Sequence, residues 1–263
     1  MDEFCLPDDY LARREAHYFD DSPYFDSDII HQPKVYDAAD YFCRVARRST
    51  IIDIGCGNGR KLQGVGADIK VGIDFGINIA SCRHRYPTGV KWIEADLSKP
   101  ECISLASHSD NQSVVVCADV VEHLVDPRPL VALLAECYRN GAIVLTSTPD
   151  RIRVRGEDHR GPPPNQSHIR EWAKDEYKQF LLRHGLPAAF AGYTINNNQA
   201  RELKTIATLH DRAVSGHGAP DTRAVAILSA IDEGDVIGDA VGSDQVKAPR
   251  ATLLSWMSSL FRD

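Results

Sequence analysis

The chain has 263 residues, 43% of them hydrophobic, which suits one domain of generous size, or one domain with appendages, that folds alone. A formal net charge of -7 and a pI near 5.8 leave no global basic field, which argues against nucleic acid as a partner. Seven cysteines without a Cys-x-x-Cys pair read as reduced thiols rather than a disulfide frame or zinc site, no metal is expected, and with neither a basic-then-apolar leader nor a run of about 18 apolar residues, a soluble cytoplasmic protein without a transmembrane segment is expected.

Residues 1–32, rich in Asp, Tyr and Phe, read as an N-terminal arm or lid. From Pro33 the residues Val35, Ala38, Ala39, Phe42, Val45 and Ala46 recur at helical spacing and predict a helix covering one face of a sheet. Ile51 to Ile54 then reads as a short buried strand, and Gly55, Gly57 and Gly59 stand at alternate positions before Arg60 and Lys61 open a helix. Glycine suits a turn where a ligand approaches the backbone or where positive φ is required. The spacing is not that of a dinucleotide fingerprint, because the third glycine comes one residue early. Asp53, two residues before the first glycine, would repel a pyrophosphate but suits a cationic group.

Ile69 to Asp74 predicts a second strand that also ends in an acid, and Asp74 stands 17 residues after Gly57, near the spacing at which doubly wound folds place a ribose-binding carboxylate. Asn78 to Arg85 predicts a helix and Val90 to Glu94 a third strand running into Ala95-Asp96-Leu97. The apolar run Ser113 to Ala118 predicts a central strand buried on both faces, ending in Asp119-Val-Val-Glu-His-Leu124. A helix through Leu130 to Cys137 and a strand Ala142 to Ser147 complete an alternation that implies parallel βαβ units, with ligands bound beyond the carboxyl ends of the strands.

Residues 148–170 predict a long loop insertion carrying Arg151, Arg153, Arg155, His159 and Arg170, followed by a helix to about His184. In an extended segment the alternating arginines would share one side. Leu186 to Tyr193 and Thr222 to Ser229 read as two final strands, with Asn196 to Asn198 and Ser215 to Gly218 in loops. The domain is expected over 33–232, followed by a linker, 233–248, and an amphipathic helix, 249–263, suited to self-association or partner docking.

The glycine turn, with Asp53 before it and acids closing the next strands, resembles motif I of the class I S-adenosylmethionine-dependent methyltransferases. The resemblance covers roughly Pro33 to Asp232 and implies an α/β fold, a doubly wound and mostly parallel seven-stranded sheet of order 3-2-1-4-5-7-6. It implies S-adenosylmethionine as cofactor, held by Asp53, Gly55, Cys56, Gly57, Gly59, Asp74, Phe75, Asp96, Leu97 and Asp119, with Asp96 toward the adenine amino group and the Asp119 to Leu124 loop facing the methyl group. The loop with His168-x-Arg-Glu-Trp172 resembles the substrate-binding insertion of methyltransferases found beside glycan-building enzymes.

Methyl transfer from a sulfonium asks mainly for alignment, desolvation and removal of the nucleophile's proton. For a hydroxyl acceptor the candidate bases are His123 first and His168 second, and Arg151, His159 and Arg170 are candidate acceptor contacts. No Asn-Pro-Pro-Tyr tetrapeptide follows the fourth strand. The first expectation is therefore O-methylation of a sugar or glycan-related hydroxyl, with N- or C-methylation of a small metabolite, or a non-catalytic scaffold for a glycan-building enzyme, as alternatives.

Overall fold

The computed structural model describes residues 3–15, 17–214 and 219–230. The expected linker 233–248, the expected helix 249–263 and the Ser215 to Gly218 loop lie outside the described residues. Seven strands, β1 (Thr50–Ile54), β2 (Ile69–Asp74), β3 (Lys91–Glu94), β4 (Ser113–Ala118), β5 (Ile143–Pro149), β6 (Phe190–Thr194) and β7 (Thr205–His210), form one sheet in the order 3-2-1-4-5-7-6. Strands β1 to β5 pair in parallel, and β7 runs antiparallel to both β5 and β6. The expected strand order is the observed one.

The helices are α1 (Pro33–Arg44), α2 (Arg60–Gln63), α3 (Gly76–Arg85), α4 (Arg128–Arg139), α5 (Arg151–Arg155), α6 (Lys174–Arg183) and α7 (Thr222–Leu228). Because strand side chains alternate between faces, Ile52, Ile54, Val115, Cys117 and Val144 join one core cluster while Ile51, Val114, Val116, Ile143 and Leu145 join another. The first takes in Leu130, Leu133 and Leu134 of α4 and the Trp172 ring, stacked on Phe180 and tilted against Tyr177; the second takes in Val35, Ala38, Ala39 and Phe42 of α1. Cys5 and Leu6 are fully buried in the first cluster, so the start of the chain belongs to the same compact unit as the sheet.

Three expectations are corrected. Thr222 to Ser229 is not a strand: Asp221 caps α7 by accepting from Arg223 N and Ala224 N, and Ala224 and Leu228, one turn apart, face the core. The seventh strand is instead Thr205–His210, whose threonines and histidine disguised it, since Thr208 Oγ1 meets Thr146 Oγ1 at 2.6 Å and His210 Nε2 at 2.7 Å inside the sheet's packing. The sixth begins at Phe190 rather than Leu186, which serves as a core contact just after α6. Finally, Arg151 to Arg155 is a turn of helix capped by Asp150 Oδ1, which accepts from Arg153 N at 2.8 Å; Arg151 and Arg155 therefore share a face that Arg153 does not.

Candidate active site

The bend after β1 sits at the carboxyl ends of the central strands. Gly55 and Gly57 have φ of 76° and 54°, and a Cβ on Gly55 would stand 2.3 Å from Val120 Cγ2, so glycine is required there by conformation and by the close approach of the loop after β4.

Three carboxylates ring this bend. Asp53 is fully buried, and the Tyr36 hydroxyl lies 3.0 Å from each of its oxygens. Burial pushes it up to about 7, against the pull of the Lys61 ammonium. Asp74 is 8% exposed and accepts from Gly57 N and Phe75 N, each at 2.8 Å, and from Asn78 Nδ2 at 3.4 Å; burial pushes it up to about 6. Asp119 adopts a φ of 57°, its Oδ1 is buried without a hydrogen-bond partner, and burial again raises it to about 6. Three carboxylates withdrawn from water around one bend, with the more distant pull of Lys61 on two of them, suit a cationic ligand at this crevice.

The arm lies across the crevice. Asp21 Oδ2 accepts from Asn58 N at 2.9 Å and occupies the space a Cβ on Gly57 would take, 2.4 Å from that position. The bend is thus covered by a side chain from outside it. Asp21 N donates to Asn78 Oδ1, Asn78 Nδ2 donates to Phe19 O, and Tyr18 OH donates to Phe75 O at 2.8 Å, with the Tyr18 ring edge-on to Phe75 at 4.9 Å.

A second cluster follows β4, where a short 3-10 turn carries Val121–His123. His123 Nδ1–H donates to Ser167 O at 2.9 Å, leaving Nε2 with its lone pair; burial, with His168 beside it, lowers its pKa to about 4 and keeps it neutral. The His168 ring stands 4.8 Å away, edge-on, and its Nδ1–H donates to Glu171 Oε1 at 2.7 Å while Nε2 accepts from Asn165 Nδ2 at 3.0 Å. Arg155 in turn clamps Glu171 with two bonds of 3.1 Å. Glu122 is fully buried, takes one bond from Thr148 Oγ1 at 3.0 Å, and leaves Oε1 unpartnered; burial first and Asp119 second hold it well above the usual carboxylate range. Phe19 of the arm closes over His123 at 5.6 Å between ring centres.

Residues 30–188 match the family model described as a methyltransferase domain. The chain belongs to this methyltransferase family. "Probable S-adenosylmethionine-dependent methyltransferase Rv3030" of Mycobacterium tuberculosis is 29% identical over 219 residues, 77% of this chain and 75% of that protein. A ubiquinone biosynthesis O-methyltransferase of Thiobacillus denitrificans is 34% identical over 107 residues, which is 38% of this chain and 44% of the relative. Among solved structures, the fold resembles the plantazolicin methyltransferase BamL, at a TM-score of 0.50 and 13% identity over 68% of this chain and 84% of that one. A chain of the complex between the Haloferax volcanii Trm112 methyltransferase activator and a methyltransferase also gives 0.50, at 15% identity over 76% of this chain and 93% of that one.

As a methyltransferase of class I, the chain takes S-adenosylmethionine as its cofactor, and its residues fit that group. Asp119 Oδ1 lacks a partner, and the Asn58 amide N–H already donates to a carboxylate of the kind an amino acid carries. The structure brings Asp53, Gly55, Cys56, Gly57, Gly59, Asp74, Phe75 and Asp119 around one bend, with Phe75 39% exposed beside it. Asp96 accepts from Ser98 N at 2.9 Å and Ser98 Oγ at 2.6 Å, a local turn ahead of the 3-10 segment Pro100–His108, with Leu97 buried behind it.

The expected acceptor contacts are spent internally. Arg151 donates to His159 O at 2.8 Å and pairs with Glu176 at 2.5 Å, and Arg170 donates to Leu124 O and Val125 O with its guanidinium 4.1 Å over Phe4. His159 Nδ1 accepts from Gly161 N at 3.3 Å. These groups shape the insertion rather than present themselves as an anion clamp. Sequence reading missed Tyr36, Asp21, Asn78, Asn165 and Glu171. Only Asn78 carried a local signal, opening the predicted helix four residues after Asp74.

Proposed function

We propose that this methyltransferase moves the methyl group of S-adenosylmethionine onto a hydroxyl oxygen of a small acceptor, of the sugar or glycan-related class. One observation carries the reading: His123 and His168 stand edge-on at 4.8 Å beyond β4, each with Nδ1–H anchored, on the loop that follows the carboxylate crevice. The cofactor supplies an electrophilic methyl on a sulfonium. Asp53, Asp74 and Asp119 hold its charged and polar groups, and the glycine bend lets them lie against the backbone. A hydroxyl has a high pKa, so the acceptor oxygen has to be relieved of its proton, and His123, His168 and Glu122 are the groups at hand to favour that loss. The oxygen's electron pair forms the new O–C bond while the C–S pair stays on sulfur, and the released proton leaves through this cluster.

The test is release of demethylated cofactor with a panel of nucleotide sugars, free sugars, catechols and amines. Turnover with sugar hydroxyls supports the full reading. Turnover with catechols alone moves the acceptor toward that of the ubiquinone-pathway relative, and turnover with amines alone overturns the oxygen reading. His123→Ala is expected to lower kcat at least tenfold while leaving cofactor affinity within about twofold.

A further inference from the structure

Glu122, His123 and His168 can each direct one ligating atom into a common space, and those atoms lie within 4.8 Å of one another. Glu122 Oε1 is buried and makes no hydrogen bond, in a carboxylate that is 0% exposed. A buried carboxylate oxygen with nothing facing it is costly, and a cation is one remedy. The histidines are prepared in a further way. His123 Nδ1 is fixed by Ser167 O and His168 Nδ1 by the Glu171 carboxylate, itself held by Arg155, so ligation falls to the two Nε2 atoms, of which that of His168 is engaged by Asn165 Nδ2 at 3.0 Å. A carboxylate or carbonyl on the far nitrogen is the arrangement that orients metal-binding imidazoles and raises their basicity as ligands.

We propose that Glu122 Oε1, His123 Nε2 and His168 Nε2 form a site for a divalent transition-metal cation in the acceptor pocket. One carboxylate and two imidazoles suit Zn2+, Mn2+ or Co2+ better than Ca2+. Ligand bonds of about 2.0–2.2 Å place neighbouring donors about 3–4 Å apart, closer than the 4.8 Å within which the ligating atoms now lie, so the three side chains draw together on binding. Asn165, whose amide now donates to His168 Nε2, turns away. Coordination positions beyond these three remain for the acceptor. The inference rests on the hydroxyl-acceptor reading and sharpens it. With a cation bound, the acceptor hydroxyl would lose its proton near neutral pH, past this cluster to solvent, and its oxygen pair would form the O–C bond while the C–S pair remains on sulfur.

Mn2+ is the probe, since it avoids the buried thiols that attract Zn2+. Titration of the full chain, followed by loss of the free-ion paramagnetic resonance signal, is expected to give one Mn2+ per chain. Glu122→Gln, which keeps the Thr148 contact, and His168→Gln are each expected to weaken binding at least tenfold, with His108→Asn unchanged. Binding of demethylated cofactor, measured by calorimetry on the same samples, certifies that each variant is folded. Folded wild type that takes up no Mn2+, or variants that bind it as tightly as wild type, overturn the site while leaving the methyltransferase reading intact. Stoichiometric Mn2+ binding without turnover of any hydroxyl overturns the acceptor reading and leaves the site.

Discussion

Asp53 is a buried acid whose two oxygens share one donor, the Tyr36 hydroxyl at 3.0 Å. Its carboxyl sits near 7, so it is protonated below that pH and ionised above it. Tyr36→Phe removes a bond that the ionised form needs most, and the stability lost is expected to be larger at pH 8 than at pH 6, about 1–3 kcal/mol at the higher pH by urea unfolding. Equal losses at both pH values would show that the hydroxyl is indifferent to Asp53's charge. Asp74, near 6, titrates in the same range. A ligand bringing positive charge favours the ionised acids, so binding of S-adenosylmethionine at pH 6 is expected to release protons, visible as a binding enthalpy that changes with the buffer's ionisation enthalpy. Asp74→Asn should weaken affinity by about 1–3 kcal/mol and reduce that release.

The elements that matter beyond the sheet are the arm and the insertion. Asp21 holds the Asn58 amide, which the carboxylate of an amino-acid ligand would also seek. Asp21→Ala is expected to tighten binding of demethylated cofactor several-fold in calorimetry, by removing a competitor; weaker binding would instead make Asp21 part of the ligand's own shell. The insertion depends on a single buried acid. Asp150 accepts from Arg153 N at 2.8 Å and from Lys174 N at 3.0 Å, so it caps the starts of α5 and α6 together. Asp150→Ala, leaving two buried amides unpaired, should cost about 2–4 kcal/mol, against less for Asp150→Asn.

For the whole molecule, pH acts through two opposed sets of groups. The site carboxylates have folded pKa values raised above their unfolded ones, so their ionisation weakens the fold as pH rises through about 6 to 7. His210, fully buried between Thr208 Oγ1 and Pro187 O, has its pKa lowered by burial to about 4. Its contribution is complete above about 6.5 and is lost as pH falls toward 4, because the unfolded chain takes up a proton that the folded one refuses. His210→Gln is expected to lose about 2–4 kcal/mol less stability than wild type between pH 7 and 4, measured by denaturant unfolding. Parallel curves for the two proteins would remove His210 from the acid response. Among the described residues no helix is long and apolar enough to cross a membrane.

Local sequence determined the strands β1 to β5, the glycine bend and the acids that close β1 and β2, because apolar runs, positive-φ glycines and strand-terminal carboxylates leave short-range marks. Strand β7 and helix α7 escaped it: Thr205–His210 buries its polar side chains on Thr146 and Pro187, partners distant in the chain, and an Asp221 cap outweighed a β-branched run. The partnering of charges was also a tertiary decision. Whether Arg151 faces a ligand or Glu176, whether Asp21 reaches the bend, and whether Glu122 meets His123 and His168 are settled by contacts that span up to tens of residues, and no local spacing encodes them.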